Sequence, residues 1–150
     1  LGHTLGNRYG AWDNTAKELI SILAKGQDIA FIAEGDISFY STFTYIARSV
    51  NNLAPSVQIE AISGICSPLA AAAALKIPLS IGNEKIAILP ALYSIAELEK
   101  ALDWAEVVIL SKLSSVFREV WQLLAQKHLL EQASLVEWIG GQRRKFFRIY

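Results

Sequence analysis

Apolar residues along the chain alternate between helical spacing and short unbroken runs. Trp12, Ala16, Leu19, Ile20 and Leu23 recur at helical intervals. Thr15 and Glu18 have capping-box spacing, so a helix is predicted after a loop over residues 1–11, where Gly2, Gly6 and Gly10 fall. Gly26 is the predicted stop. Asp28 to Ala33 has no helical gaps, as in a strand buried on both faces. Phe39, Phe43, Ile46, Ala47, Val50 and Leu53 then predict a second helix, beginning near Phe39 and ended by Asn51, Asn52 and Pro55.

The second half repeats this alternation. Val57 to Ile62 reads as a strand, turned at Ser63-Gly64. Ser67 is a candidate cap for a third helix, with Pro68 at its first position, where a missing N–H costs nothing. Pro78 and Gly82 close that unit. Lys85 to Leu89 and Val107 to Leu110 are further strands. Ser94 and Glu97 open a helix between them, running to about Trp104. Ser114 or Ser115 starts a helix carrying Val116, Val120, Leu123 and Leu124. Leu135–Ile139, a Gly140-Gly141 turn and Phe146–Tyr150 form a closing hairpin. Strands alternating with helices predict an α/β fold with mostly parallel pairing.

In open α/β sheets, ligands sit beyond the carboxyl ends of the strands. Glu34–Ser38, Ser63–Ser67 and Ser111-Lys112 occupy that place. Gly35 permits a tight turn or close approach to a ligand. Asp36 or Ser38 can cap the helix that follows. Two carboxylates would repel a phosphate, and no GxxxxGK[ST] is present. Tyr40, Ser41 and Thr42 lie off the core stripe of Phe39 and offer three hydrogen-bonding side chains, to a pocket or to solvent. The turn before Ser67 leaves backbone donors for an acceptor. Cys66 fits better as a small residue in a tight turn than as a nucleophile, because no histidine is near it in sequence.

Composition narrows the classes. The 150 residues are 53% hydrophobic, enough for a real core, and carry fourteen basic against fourteen acidic groups. That balance argues against a general nucleic-acid binder, and Arg143–Arg148 is the only basic cluster. One cysteine excludes an internal disulfide and fits a reducing cytosol; with two distant histidines it provides no zinc-ligand spacing, so no metal is expected. The longest uncharged stretch, Ala61 to Leu75, is shorter than the roughly 20 residues of a membrane helix, so no membrane partner is expected. The chain contains no methionine, so Leu1 is not a translation start as written.

"AEGDISFYSTFTYIA", followed about twenty residues later by "ISGICSPLAAAAALKIPLS", resembles the tetrapyrrole methylase family. The order of "KIAILPA", "VVILSKLSSV" and "SLVEWIG" extends the resemblance over about residues 12 to 139. Phe-Tyr-Ser-Thr after Gly-Asp is most similar to the branch that methylates precorrin-2 at ring carbon 20 in cobalamin biosynthesis. The resemblance implies a two-lobed α/β protein, with residues 1–62 as the remainder of a first lobe and 63–150 as a second, mixed-sheet lobe. It implies S-adenosylmethionine held between the lobes, a tetrapyrrole substrate, a homodimer and a cytoplasmic location. By position, Glu34, Gly35, Asp36, Phe39, Cys66, Ser67, Leu110 and Ser111 match the cofactor contacts, and Tyr40, Ser41 and Thr42 are assigned to the substrate.

Ile37 and Ser63 stand where the family usually has proline. Nothing matches its opening strand and Gly-Pro-Gly-Asp loop, and the tail "QRRKFFRIY" departs from its usual ending. The chain is therefore expected to be an internal fragment, or a truncated or decayed reading frame. Two alternatives remain open: a non-catalytic remnant that dimerises through exposed apolar surface, and an unrelated hydrolase using Glu34 and Asp36 as acid and base.

Overall fold

The computed structural model describes residues 3–91, 94–139 and 145–148. The chain divides into two compact units, Leu1–Cys66 and Ser67–Tyr150.

The first unit is built on two helices, α1 (His3–Leu23) and α2 (Phe43–Leu53). Helix α1 begins far earlier than expected, because residues 3–10 are helical and not a loop. Leu5, Tyr9 and Trp12 continue the apolar spacing backwards. A glycine inside a helix costs only about 1 kcal/mol relative to alanine, so Gly6 and Gly10 need not end it. Thr15 consequently lies inside the helix and caps nothing; its hydroxyl donates to the Ala11 carbonyl at 3.1 Å. The helix stops where predicted, with Gly26 at φ 77° and its N–H on the Leu23 carbonyl.

Ala16, Ile46 and Val50 form the buried core of this unit, with Trp12, Leu19, Ile20 and Val57 packed around them. Ser49 is also buried, and its hydroxyl donates to Asp13 Oδ1 at 2.7 Å, tying α2 to α1. Trp12 stacks on Tyr45 with ring centroids 5.9 Å apart.

The two predicted strands of this unit do not form. Among the described residues, neither 28–33 nor 57–62 enters a sheet. An apolar run states what its side chains prefer, but a strand also needs a neighbour for its N–H and C=O groups. Phe31 packs on Phe43 instead, and Val57 on the helix cluster. Helix α2 also starts about four residues later than expected. Tyr40 takes a left-handed conformation, φ 53°, which interrupts a helix extending back to Phe39. The Phe43 N–H bonds to Ser41 Oγ at 3.2 Å.

The second unit follows the prediction more closely. Helix α3 (Ser67–Leu75) opens with Pro68 in its first turn. Strands β1 (Ile86–Leu89) and β2 (Val107–Leu110) pair in parallel, Ile86 opposite Val107 through Leu89 opposite Leu110. Helix α4 (Ile95–Leu102) is the crossover between them. Ser94 is its extended N-cap, but the side-chain bond of a capping box is not made. Helix α5 (Phe117–Gln126) starts two or three residues after the serines expected to open it, with Val116 at its N-cap. Leu98, Val120 and Leu123 are the buried centre, and Leu89, Ile95, Val108, Leu110 and Leu124 pack onto it. Strands β3 (Ser134–Glu137) and β4 (Lys145–Arg148) form an antiparallel hairpin, slightly displaced from the predicted bounds. The Gly140-Gly141 turn, Arg143, Arg144, Ile149 and Tyr150 lie outside the described residues.

A second parallel tie stands at the mouth of β1 and β2. The Lys85 N–H donates to Glu106 Oε2 at 2.8 Å, and Lys85 Nζ lies 4.0 Å from Oε1. That backbone bond is the main cause holding the Glu106 carboxyl below its ordinary value.

Candidate functional site

The first unit brings together two loops that are 28 residues apart in sequence. One is Glu34–Ser38; the other is Ser63–Cys66. Gly35 turns the first with φ 81°. The loops then meet backbone to backbone. A Cβ placed on Gly64 would lie 2.2 Å from the Gly35 carbonyl oxygen, closer than any side chain permits. A Cβ on Gly35 would make ordinary contact, 3.6 Å from the Ile65 carbonyl oxygen and 3.8 Å from the Cys66 Cα.

Asp36 joins the loops through both carboxylate oxygens. Oδ2 accepts the Gly64 N–H at 2.8 Å. Oδ1 accepts the Ser38 N–H at 2.8 Å and also the Ser38 hydroxyl. The Ser38 hydroxyl, then the Gly64 N–H and the Ser38 N–H, lower the Asp36 pKa below the usual aspartate value. Ser38 and Asp36 therefore shape a turn and do not cap α2, whose N-cap is Thr42.

Glu34 is exposed on the same loop, and Phe39 is half-buried with its ring edge-on to Tyr40 at 4.7 Å. Tyr40 is 62% exposed and carries the left-handed backbone. Such strain costs roughly 1–3 kcal/mol and gathers at functional loops. Ser41 and Thr42 complete the turn into α2. Cys66 is half-buried at the end of the second loop.

The remaining predicted residues belong to the second unit. Ser67 begins α3. Leu110 ends β2 with its side chain on the hydrophobic centre, and the Ser111 N–H donates to the Leu89 carbonyl at 3.1 Å. Lys112, next along, is again left-handed at φ 56°. A shallow depression lined by Phe117, Arg118, Trp121 and Gln122 on α5 contains none of the predicted residues.

Sequence reasoning placed Gly35 and Asp36 in a ligand loop but overlooked Gly64 as their partner. An aspartate favours a turn closed on the residue two positions on, which signals the Ser38 bond but not the one to Gly64. Chemically, the paired loops contain carboxylates and no Lys, Arg or His. That set suits a cationic or amine-bearing ligand and not a phosphate. Among the described residues, no cluster of three His, Cys, Asp or Glu could hold a metal ion, and no helix is long and apolar enough to cross a membrane.

Sequence comparison defines the class of protein to which this α/β chain belongs. Residues 2–149 match the family Tetrapyrrole (Corrin/Porphyrin) Methylases, and the chain belongs to that family. It is 37% identical over 101 residues to the probable cobalt-precorrin-2 C(20)-methyltransferase of Methanocaldococcus jannaschii, covering 67% of this chain and 40% of that protein. It is 30% identical over 125 residues to the cobalt-precorrin-2 C(20)-methyltransferase of Salmonella typhimurium, covering 83% of this chain and 52% of that protein. A precorrin-2 C(20)-methyltransferase of a Sinorhizobium species is 27% identical over 126 residues, covering 84% of this chain and 50% of that protein. The chain thus spans about half the length of the curated relatives it matches.

Proposed function

We propose that this chain carries the cofactor loops of an S-adenosylmethionine-dependent methyltransferase of cobalamin biosynthesis, acting on precorrin-2 at ring carbon 20. The observation that carries the reading is the junction of Glu34–Ser38 with Ser63–Cys66 in a chain similar to enzymes of that name.

The residues fit the cofactor on chemical grounds. The loop pair combines bare glycine backbone with two carboxylates, and Asp36 stays ionised well into acid because its neighbours favour the charged form. Glu34, Gly35, Asp36, Phe39 and Cys66 would hold it in the first unit. Bound there, S-adenosylmethionine supplies an electrophilic methyl group. The chain's own work is to orient the partners and to keep negative charge near a cationic donor. Tyr40, Ser41 and Thr42 supply hydroxyls to the polar edge of a tetrapyrrole. The reading extends to a cytoplasmic homodimer that does not use nucleic acid.

A second reading is favoured by the unpaired runs 28–33 and 57–62, which leave Ile32 92% and Ile62 79% exposed. On that reading the chain is a non-catalytic piece that associates through apolar surface. Calorimetry with S-adenosylhomocysteine separates the two. Micromolar binding supports the methyltransferase reading. No heat from a folded sample, together with concentration-dependent association in light scattering, supports the second and overturns the first.

A further inference from the structure

We propose that Asp36, beyond its place in the cofactor loop, is also a positioning residue, a clasp that locks the Ser63–Cys66 loop against the Glu34–Ser38 loop. Its bearing on the cofactor rests on the methyltransferase reading; the clasp itself does not. The argument is one of hydrogen-bond capacity. An ionised carboxylate is an acceptor only, with two oxygens. Here each oxygen serves a different loop: Oδ1 takes the two Ser38 donors, and Oδ2 takes the Gly64 N–H.

Gly64 makes the clasp possible. With no Cβ it can rest on the Gly35 carbonyl, which brings its own N–H within 2.8 Å of Asp36. Any side chain at 64 would meet that carbonyl and push the loops apart. Glycine at both 35 and 64 and aspartate at 36 therefore act as one device. It sets where the backbone of Ile65 and Cys66 lies relative to Gly35, the contact that a ligand at this site would read. Glu34 is left exposed on the same loop to meet a ligand.

The clasp predicts a shared titration. Asp36 is held below its usual pKa, so its bonds are complete above the unfolded-state value and are lost only as the pH falls through the depressed folded-state value. In ¹⁵N–¹H spectra, the Gly64 and Ser38 amide protons move together on acidification, with one midpoint below that of an ordinary aspartate. Asp36→Asn abolishes both transitions, because it removes the titrating carboxyl, and it leaves only one acceptor oxygen where two loops need one each. Ser38→Ala keeps the Gly64 transition and moves its midpoint up, since the serine hydroxyl is the largest cause of the depression. Where the wild-type chain binds S-adenosylhomocysteine, Asp36→Asn weakens it by about tenfold or more. A wild-type chain that shows the shared transition but binds no S-adenosylhomocysteine supports the clasp and counts against the methyltransferase reading alone. A Gly64 amide that ignores pH, or that titrates unchanged in Asp36→Asn or Ser38→Ala, overturns the clasp.

Discussion

Two pairs of apolar runs lie in this chain, and they behave differently. In the second unit, Ile86–Leu89 and Val107–Leu110 become β1 and β2, paired residue for residue with α4 as their crossover. In the first, residues 28–33 and 57–62 are mostly apolar, interrupted by Asp28, Gln58 and Glu60, and enter no sheet among the described residues. The difference is one of partners. The second unit contains two strands, a helix that joins them and a buried Leu98 where helix meets sheet. The first unit contains two helices that satisfy each other, and its runs are joined at one end only, by Asp36 and Gly64. Hydrophobicity selects which residues seek cover; hydrogen bonding decides whether a strand exists.

The contrast can be broken most forcefully at Leu98, which is 1% exposed. Leu98→Ala should cost about 2–5 kcal/mol in chemical denaturation, because a cavity opens where α4 meets its neighbours. Hydrogen exchange should show the same asymmetry. Amides of β1 and β2 are expected to exchange on the order of a hundredfold more slowly than those of 29–33 and 57–62. Equal protection in all four runs would show that the first pair is a sheet after all.

A smaller effect is expected from Ile32→Ser, which should change stability by no more than about 0.5 kcal/mol, since that side chain is already in water. A large loss there would mean that something covers it. The smallest change concerns Glu106, held in its charged form by the Lys85 N–H. Its contribution is present above the unfolded-state carboxylate pKa and lost as the pH falls through the lowered folded value. Glu106→Gln should therefore lower stability slightly at neutral pH, where that contribution is present, and flatten the acid limb of an unfolding curve followed in the second unit.

Legibility tracked the same divide. Val107–Leu110 could be read from sequence because a short apolar run between Glu106 and Ser111 had a matching run before it. The start of α1 could not, because three early glycines outweighed the continuing stripe of Leu5, Tyr9 and Trp12. The start of α2 was hidden by Tyr40, whose left-handed backbone no local pattern announces. At the site, Glu34-Gly35-Asp36 stood out as a strand-to-helix turn with acidic groups. The Asp36–Gly64 bond did not, because pairing across 28 residues is a property of the folded loops and not of either segment.

The most direct measurement is a titration of the ¹⁵N-labelled chain with S-adenosylhomocysteine at neutral pH. If the paired loops are the cofactor site, the largest shifts in the first unit fall on Glu34–Phe39 and Gly64–Cys66, while Ala16, Ile46 and Val50 barely move. Saturating ligand with no shift in either loop, in a chain whose β1 and β2 amides remain protected, would contradict that assignment.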